Sequence, residues 1–248
     1  MLSQYNGYEY EIDVHVPKEA APEEGYSVVF VLDGQRYSKM MERVLQSQIR
    51  MAMKTGVKPL LIVGIGHQEA DVPQQRFYDF TAPAETYHFP KRRGRDMPVM
   101  PAGGAEKLMD FLIKQLLPFL ATTYTVNEKD VAIYGHSLGG LFVLWSYVQH
   151  PHVFSQYVAL SPSVWWNKHE LLTLIHETNK TYSAPLFITV GGEEGDMVDD
   201  AARFVQIAAT KHIPSTFYVA QEENHASIIP TTMSRVLRFL KASSAVHI

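Results

Sequence analysis

Val131-Ala132-Ile133-Tyr134-Gly135-His136-Ser137-Leu138-Gly139-Gly140 decides the fold: a short apolar run that ends in a Gly-x-Ser-x-Gly turn and opens into Leu141-Phe142-Val143-Leu144-Trp145. It reads as strand, sharp turn, helix. A Ser placed between strand and helix sits in a strained turn, and glycines beside it let neighbouring backbone approach without a Cβ clash. The strain lifts the Ser137 hydroxyl above the sheet edge. The same turn aims the Leu138 N–H, at the start of the helix, toward the reacting centre, where it can stabilise a developing oxyanion.

Outward from this stretch, the chain alternates. Tyr8, Tyr10, Ile12, Val14 and Val16 interleave with Glu9, Glu11, Asp13 and His15, the period-2 pattern of a strand with one wet face, which suits an antiparallel edge. Ser27-Val28-Val29-Phe30-Val31-Leu32 and Leu60-Leu61-Ile62-Val63 are continuous β-branched and apolar runs, the pattern of strands covered on both faces. Between them a helix is expected from about Ser38 to Met53. Strand, helix, strand implies parallel pairing. After a helix around Leu108 to Leu117, bent or ended near Pro118, and after the Ser137 turn and its helix, further strands are expected at Tyr157–Leu160, Leu186–Val190 and Thr216–Val219, with helices at about 168–177, 197–211 and 228–240. The fold class is α/β: a mostly parallel sheet flanked by helices, with an antiparallel N-terminal edge.

At 248 residues, with 46% hydrophobic and 19% charged residues, residues 1–248 read as one globular domain. From Gly66 to Gly103 no period is sustained and five prolines interrupt the chain, so this stretch reads as a long loop inserted on the active-site side. The net charge of −4 gives no general attraction to nucleic acid. No apolar run is long enough to cross a bilayer, and the first residues lack the pattern of a secretory signal. The absence of Cys excludes disulfides and thiolate chemistry and fits a reducing compartment, so a cytoplasmic location is expected. Neither a metal nor another cofactor is called for.

A Ser hydroxyl is a weak nucleophile at neutral pH and needs a His base, which in turn needs an acid to fix its tautomer. In an open α/β sheet these groups come from loops beyond the carboxyl ends of the strands. His225, in Glu222-Glu223-Asn224-His225-Ala226-Ser227, follows the last expected strand and is the candidate base. His136, adjacent to Ser137 in the turn, points its ring away from the hydroxyl on this reading. The acid belongs in Gly191-Gly192-Glu193-Glu194-Gly195-Asp196-Met197-Val198-Asp199-Asp200. Glu194 is favoured by its place just beyond the strand, whereas Asp196 and Asp199 sit where a helix N-terminus attracts carboxylates; all three stay in play, as does a Ser–His dyad. A second oxyanion donor is expected from Asp33-Gly34-Gln35, as the Gln35 backbone N–H.

With these segments in place the chain resembles the esterase D-like branch of the α/β-hydrolases, and within it the trilactone siderophore esterases that act on ferri-bacillibactin, enterobactin and salmochelin. The likeness is carried by Phe30-Val31-Leu32-Asp33-Gly34, by Val63-Gly64-Ile65-Gly66 with Arg76 and Asp79 following, by Gly135-His136-Ser137-Leu138-Gly139-Gly140, by Ser161-Pro162-Ser163-Val164-Trp165-Trp166 and by Glu223-Asn224-His225-Ala226-Ser227. The resemblance implies a serine esterase with Ser137 as nucleophile and His225 as base, opening a ferric tricatecholate trilactone to release iron inside the cell. The residues themselves add a hint about the substrate. Arg76, Lys91, Arg92, Arg93 and Arg95 crowd the 66–103 stretch of an otherwise slightly acidic chain, near the aromatics Tyr87 and Phe89, and Trp165 and Trp166 follow a strand; such a surface would attract an anionic, catechol-rich ligand. The competing readings are a general short-chain carboxylesterase or thioesterase, an acyltransferase using the same serine, and a binding module that kept only the fold.

Overall fold

A computed structural model of the chain describes residues 1–89, 91–92 and 95–240, with the backbone alone for 91, 92, 95 and 96. Its strands are β1 (Glu11–His15), β2 (Tyr26–Leu32), β3 (Leu60–Gly66), β4 (Lys91–Arg92), β5 (Arg95–Asp96), β6 (Val126–His136), β7 (Gln156–Leu160), β8 (Leu186–Gly191) and β9 (Ser215–Ala220). The helices are α1 (Gly34–Ile49), α2 (Ala52–Thr55), α3 (Val72–Phe80), α4 (Ala105–Phe111), α5 (Leu117–Thr123), α6 (Leu138–Gln149), α7 (Trp166–Glu177), α8 (Asp196–Thr210) and α9 (Ile228–Phe239). Seven strands form one sheet in the order β1-β3-β2-β6-β7-β8-β9; β1 runs antiparallel to β3 and every other pair is parallel. This is the α/β-hydrolase arrangement, with the wet-faced N-terminal strand at the antiparallel edge.

The alternating side chains of the central strands feed two cores. Val28, Phe30, Leu32, Val63, Ile133 and Ala159 face one side, with Leu108, Phe142 and Phe204 from the helices; Val29, Val31, Ile62, Tyr134 and Val158 face the other, with Met41 of α1 and Met233 of α9. Burial on both faces explains why these strands read as unbroken apolar runs rather than alternating ones.

Three local differences from the sequence expectation have physical causes. The first helix starts at Gly34, not Ser38, because it nucleates directly on the Asp33 turn, and it ends at Ile49, with α2 finishing at Gly56 in a left-handed cap. The helix before β6 carries a π turn over Leu112–Leu116 and resumes with Pro118 in the first turn of α5, where its missing N–H costs nothing. The stretch from Gly66 to Gly103 is not structureless: it holds a short 3₁₀ turn at Glu69–Asp71 and then α3. That helix escapes periodicity because it buries only Asp79 and Phe80, one of them polar.

The junction of β6 and α6 is the tightest point of the sheet. A Cβ added to Gly135 would lie 2.3 Å from the Gly139 carbonyl oxygen, and one added to Gly140 would lie 2.8 Å from that of Leu160. Helix α6 therefore folds back onto the sheet only if both positions lack a side chain. Gly135→Ala should destabilise the protein by about 1–3 kcal/mol through overpacking, a fall of roughly 2–10 °C in Tm for a chain of this size. Thermal melting followed by circular dichroism checks this, and an unchanged Tm would contradict the close approach.

Candidate active site

Because β2, β6, β7, β8 and β9 are parallel, their carboxyl ends open on one edge of the sheet. That edge gathers Asp33-Gly34-Gln35, Ser137, Ser161 with Ser163, Glu194 and His225, each just past its strand. Ser137 adopts φ 60°, ψ −119°, a conformation costly for a residue with a Cβ, on the order of 1–3 kcal/mol. Its backbone is held on both sides: its N–H donates to Leu160 O at 3.0 Å, and its carbonyl accepts from Leu141 N–H at 2.9 Å and Ser163 N–H at 3.1 Å. Ser137 Oγ lies 3.4 Å from Ser163 Oγ, a long contact, and Ser163 is its hydrogen-bond partner among the described residues.

Glu194 reaches His225. Its Oε2 lies 2.6 Å from His225 Nδ1, while Oε1 accepts from Ser161 Oγ at 2.5 Å and from the Gly191 N–H at 2.7 Å. Only 2% of the Glu194 side chain is exposed, against 36% for His225. Burial opposes ionisation of Glu194, but the hydrogen bonds from His225, Ser161 and the Gly191 N–H outweigh it and hold the carboxyl below its ordinary range. A carboxylate at Nδ1 favours the proton there, which leaves Nε2 of His225 as the nitrogen with a free lone pair. Asp196 and Asp199 lie exposed in the first turn of α8, where a helix N-terminus favours negative charge.

His136 serves the frame of this site. Its Nε2 donates to the His225 carbonyl at 2.9 Å, so Nδ1 is left to accept from the Tyr37 hydroxyl at 3.2 Å. Its ring, 4.5 Å from that of His225 between centroids, is thereby committed away from Ser137 Oγ. Burial, with His225 beside it, lowers its pKa to about 4 and keeps it neutral.

The oxyanion candidates are backbone groups. Leu138 opens α6 and Gln35 lies in the first turn of α1, positions whose N–H groups have no intrahelical acceptor. The substrate candidates are spread more widely. Arg76 turns inward, Nε to Asp33 Oδ1 at 2.6 Å and Nη2 to Oδ2 at 2.9 Å, which leaves its charge paired within the protein. Trp166 is fully buried among Phe77, Tyr87 and Phe89, whereas Trp165 keeps part of its surface. The side chain of Arg92 and all of Arg93 lie outside the described residues. Among the described residues, no group of three or more His, Asp or Glu side chains converges as metal ligands would, and no helix is long and apolar enough to cross a membrane.

The sequence places Ser161 and Ser163 in a segment that carries the family likeness but gives them no role of their own, and Tyr37 is not marked at all. The first two had a readable signal, since Ser161-Pro162-Ser163 directly follows the strand beside β6. Tyr37 had none, because its contact with His136 spans 99 residues of sequence.

The chain matches the family described as "Putative esterase" over residues 3–228. It belongs to this esterase family. The ferri-bacillibactin esterase BesA of Bacillus subtilis strain 168 is 32% identical in an alignment that covers 100% of this chain and 90% of the relative. The crystal structure of the BES protein from Bacillus cereus superposes with a TM-score of 0.88 at 33% identity, covering 98% of this chain and 94% of that one. The enterobactin and salmochelin hydrolase IroE shares the fold, with a TM-score of 0.73 at 21% identity over 97% of this chain and 92% of its own.

Neutral, buried His136 makes stability depend on pH. Unfolding returns its pKa from about 4 toward the ordinary 6.5, so the unfolded chain binds the extra proton between these values and stability falls as the pH is lowered through that window. The loss should approach about 3 kcal/mol near pH 4. Glu194, whose pKa is depressed, adds its own loss only at lower pH, as the pH falls through its folded value. Urea unfolding at pH 7, 5.5 and 4.5 should show the midpoint falling in wild type and a shallower fall in His136→Gln; parallel curves would contradict a buried neutral imidazole.

Proposed function

We propose that this esterase is a serine hydrolase that opens the trilactone ring of a ferric tricatecholate siderophore, with Ser137 as nucleophile, His225 as base and Glu194 as the acid that orients it. The observation that carries the reading is the 2.6 Å contact of Glu194 with His225 Nδ1 on the same sheet edge as the strained Ser137 turn. The whole-length likeness to a ferri-bacillibactin esterase supports the substrate class. The absence of cysteine is in keeping with action in the cytoplasm, where iron would be released.

In this mechanism the substrate's approach draws Ser137 Oγ from Ser163 toward His225 Nε2. The oxygen attacks the ester carbonyl carbon, its proton passes to Nε2, and the carbonyl π pair moves onto the oxygen, which the Leu138 and Gln35 N–H groups receive. Collapse breaks the C–O bond, and His225 returns the proton to the leaving alkoxide. Water, deprotonated by the same Nε2, then attacks the acyl carbon; the bond to Ser137 Oγ breaks, and Nε2 returns the proton to that oxygen as the acid leaves. On a trilactone the released hydroxyl stays tethered, so the first cut linearises a preorganised chelator and loosens its hold on iron. Glu194 stabilises the imidazolium formed at each transfer.

Ser137→Ala and His225→Ala should each cost about 10³-fold or more in kcat, because nucleophile and base act as a unit, with near-wild-type circular dichroism. Glu194→Gln should fall strongly too, and Asp196→Asn and Asp199→Asn should not. Kinetics on p-nitrophenyl acetate and on a ferric trilactone, with chromatographic detection of the linear product, measure this. A Ser137→Ala protein that kept a tenth of its rate would overturn the assignment.

Arg92 and Arg93 are proposed to attract the anionic ferric substrate, with Trp165 as an aromatic contact. An Arg92→Ala, Arg93→Ala, Arg95→Ala variant should lose kcat/KM on the ferric trilactone and keep it on p-nitrophenyl acetate, and wild-type kcat/KM on the ferric substrate should fall as ionic strength rises. Equal losses on both substrates, or indifference to salt, would leave these residues as solvated surface.

A further inference from the structure

The turn that carries Gln35 is built against the ordinary preference of its own residues. Asp33 stands at the N-cap of α1, where an Asp carboxylate usually accepts a hydrogen bond from the N–H two or three residues on, here Gln35 or Arg36. It makes no such bond. The Arg36 and Tyr37 N–H groups are instead taken by the Asp33 backbone carbonyl, at 2.9 and 3.3 Å, and Gln35 N–H has no acceptor among the described residues. The Asp33 carboxylate, with none of its side chain exposed, is drawn the other way, into the two-pronged pair with Arg76 from α3.

Two further observations show that the turn is held in place. Asp33 is in the left-handed region at φ 55°, ψ 44°, unfavourable for a residue with a Cβ. Gly34 abuts β3 so closely that an added Cβ would lie 2.5 Å from Gly64 Cα. The carboxylate also borders the Ser137 turn: a Cβ on Gly139 would lie 3.7 Å from Asp33 Oδ2. An uncompensated negative charge at this place would face the oxyanion that forms on the substrate, in a buried site where charges are poorly screened.

We propose that Arg76 and Asp33 are positioning residues for the oxyanion site: Arg76 holds the Asp33 carboxylate away from the Gln35 N–H and neutralises it, so that this donor stays vacant for the transition state. The proposal rests on the serine-esterase reading. It assigns Arg76 to the turnover of any ester, neutral or charged, rather than to recognition of an anionic substrate. Two-point holding matters, because a single ammonium cannot fix both carboxylate oxygens.

The test is a set of variants on p-nitrophenyl acetate, a small neutral ester, with circular dichroism melting as the folding control. Arg76→Met should lower kcat about 10²-fold, the scale of losing one oxyanion donor, with KM within about threefold of wild type. Arg76→Met combined with Asp33→Gly should recover at least tenfold of that loss, since glycine accepts φ 55° and brings neither a charge nor a side-chain acceptor. If Arg76→Met does not fold, the double variant alone decides: a kcat within about tenfold of wild type supports the proposal, and a loss as large as that of Ser137→Ala overturns it. Normal kcat on p-nitrophenyl acetate for Arg76→Met with a raised KM on a ferric trilactone would overturn it in favour of direct substrate contact. A double variant no faster than the single would also overturn it. Wild-type protein lacking Ser137-dependent hydrolysis is a separate outcome, which removes the esterase reading and this proposal with it.

Discussion

The close approach of α6 to the ends of β6 and β7 is the constraint on which the site depends. A backbone separation that leaves no room for a Cβ at Gly135 or Gly140 forces the chain to reverse within one residue, and that residue is Ser137. The cost of its conformation is met by the apolar faces that α6 buries, from Leu141 to Val148. A side chain held this way, serving as the proposed nucleophile, would lose little further freedom when a substrate arrives, which is where a preorganised site gains over a flexible one. The same reversal puts the Leu138 N–H at the first position of α6, where no intrahelical acceptor meets it, and sets the Ser137 carbonyl to receive Ser163 N–H, so the neighbouring loop is registered by the turn itself.

From that point the polar groups form a connected set. Ser163 meets Ser137, Ser161 meets Glu194, Glu194 meets His225, and the His225 carbonyl meets His136, whose other nitrogen meets Tyr37. Each contact joins the end of one parallel strand to the end of another or to α1. Such a set is sensitive to any single loss, because a buried polar group without its partner costs more than the bond contributed. It also separates the two histidines by environment: His136 is enclosed and neutral, while about a third of the His225 side chain stays exposed.

The sheet was legible in the sequence because strands buried on both faces leave runs such as Val28 to Leu32 that no other element resembles. The Ser137 turn was legible because its glycines have a steric reason to be there. Glu194 could be favoured but not separated from Asp196 and Asp199 by sequence, since all three are carboxylates within six residues, and it is the three-dimensional convergence of Ser161, Gly191 and His225 on one of them that distinguishes it. Helix α3 was missed because its buried face is partly polar, with Asp79 satisfied by His67, Tyr10 and Gln75. The inward turn of Arg76 was not readable either. Its partner is 43 residues away, and a basic residue on an irregular stretch gives no sign of whether it points at solvent or at a buried carboxylate.

The central claim is that Ser137 is the atom source of a covalent intermediate, and the most direct measurement is peptide mapping by mass spectrometry after reaction with a fluorophosphonate, run beside hydrolysis of p-nitrophenyl acetate. A serine-hydrolase mechanism requires one adduct per chain, on the peptide that contains Ser137, appearing at the rate at which activity disappears. An adduct on another residue, or full loss of labelling with hydrolysis intact, would contradict it.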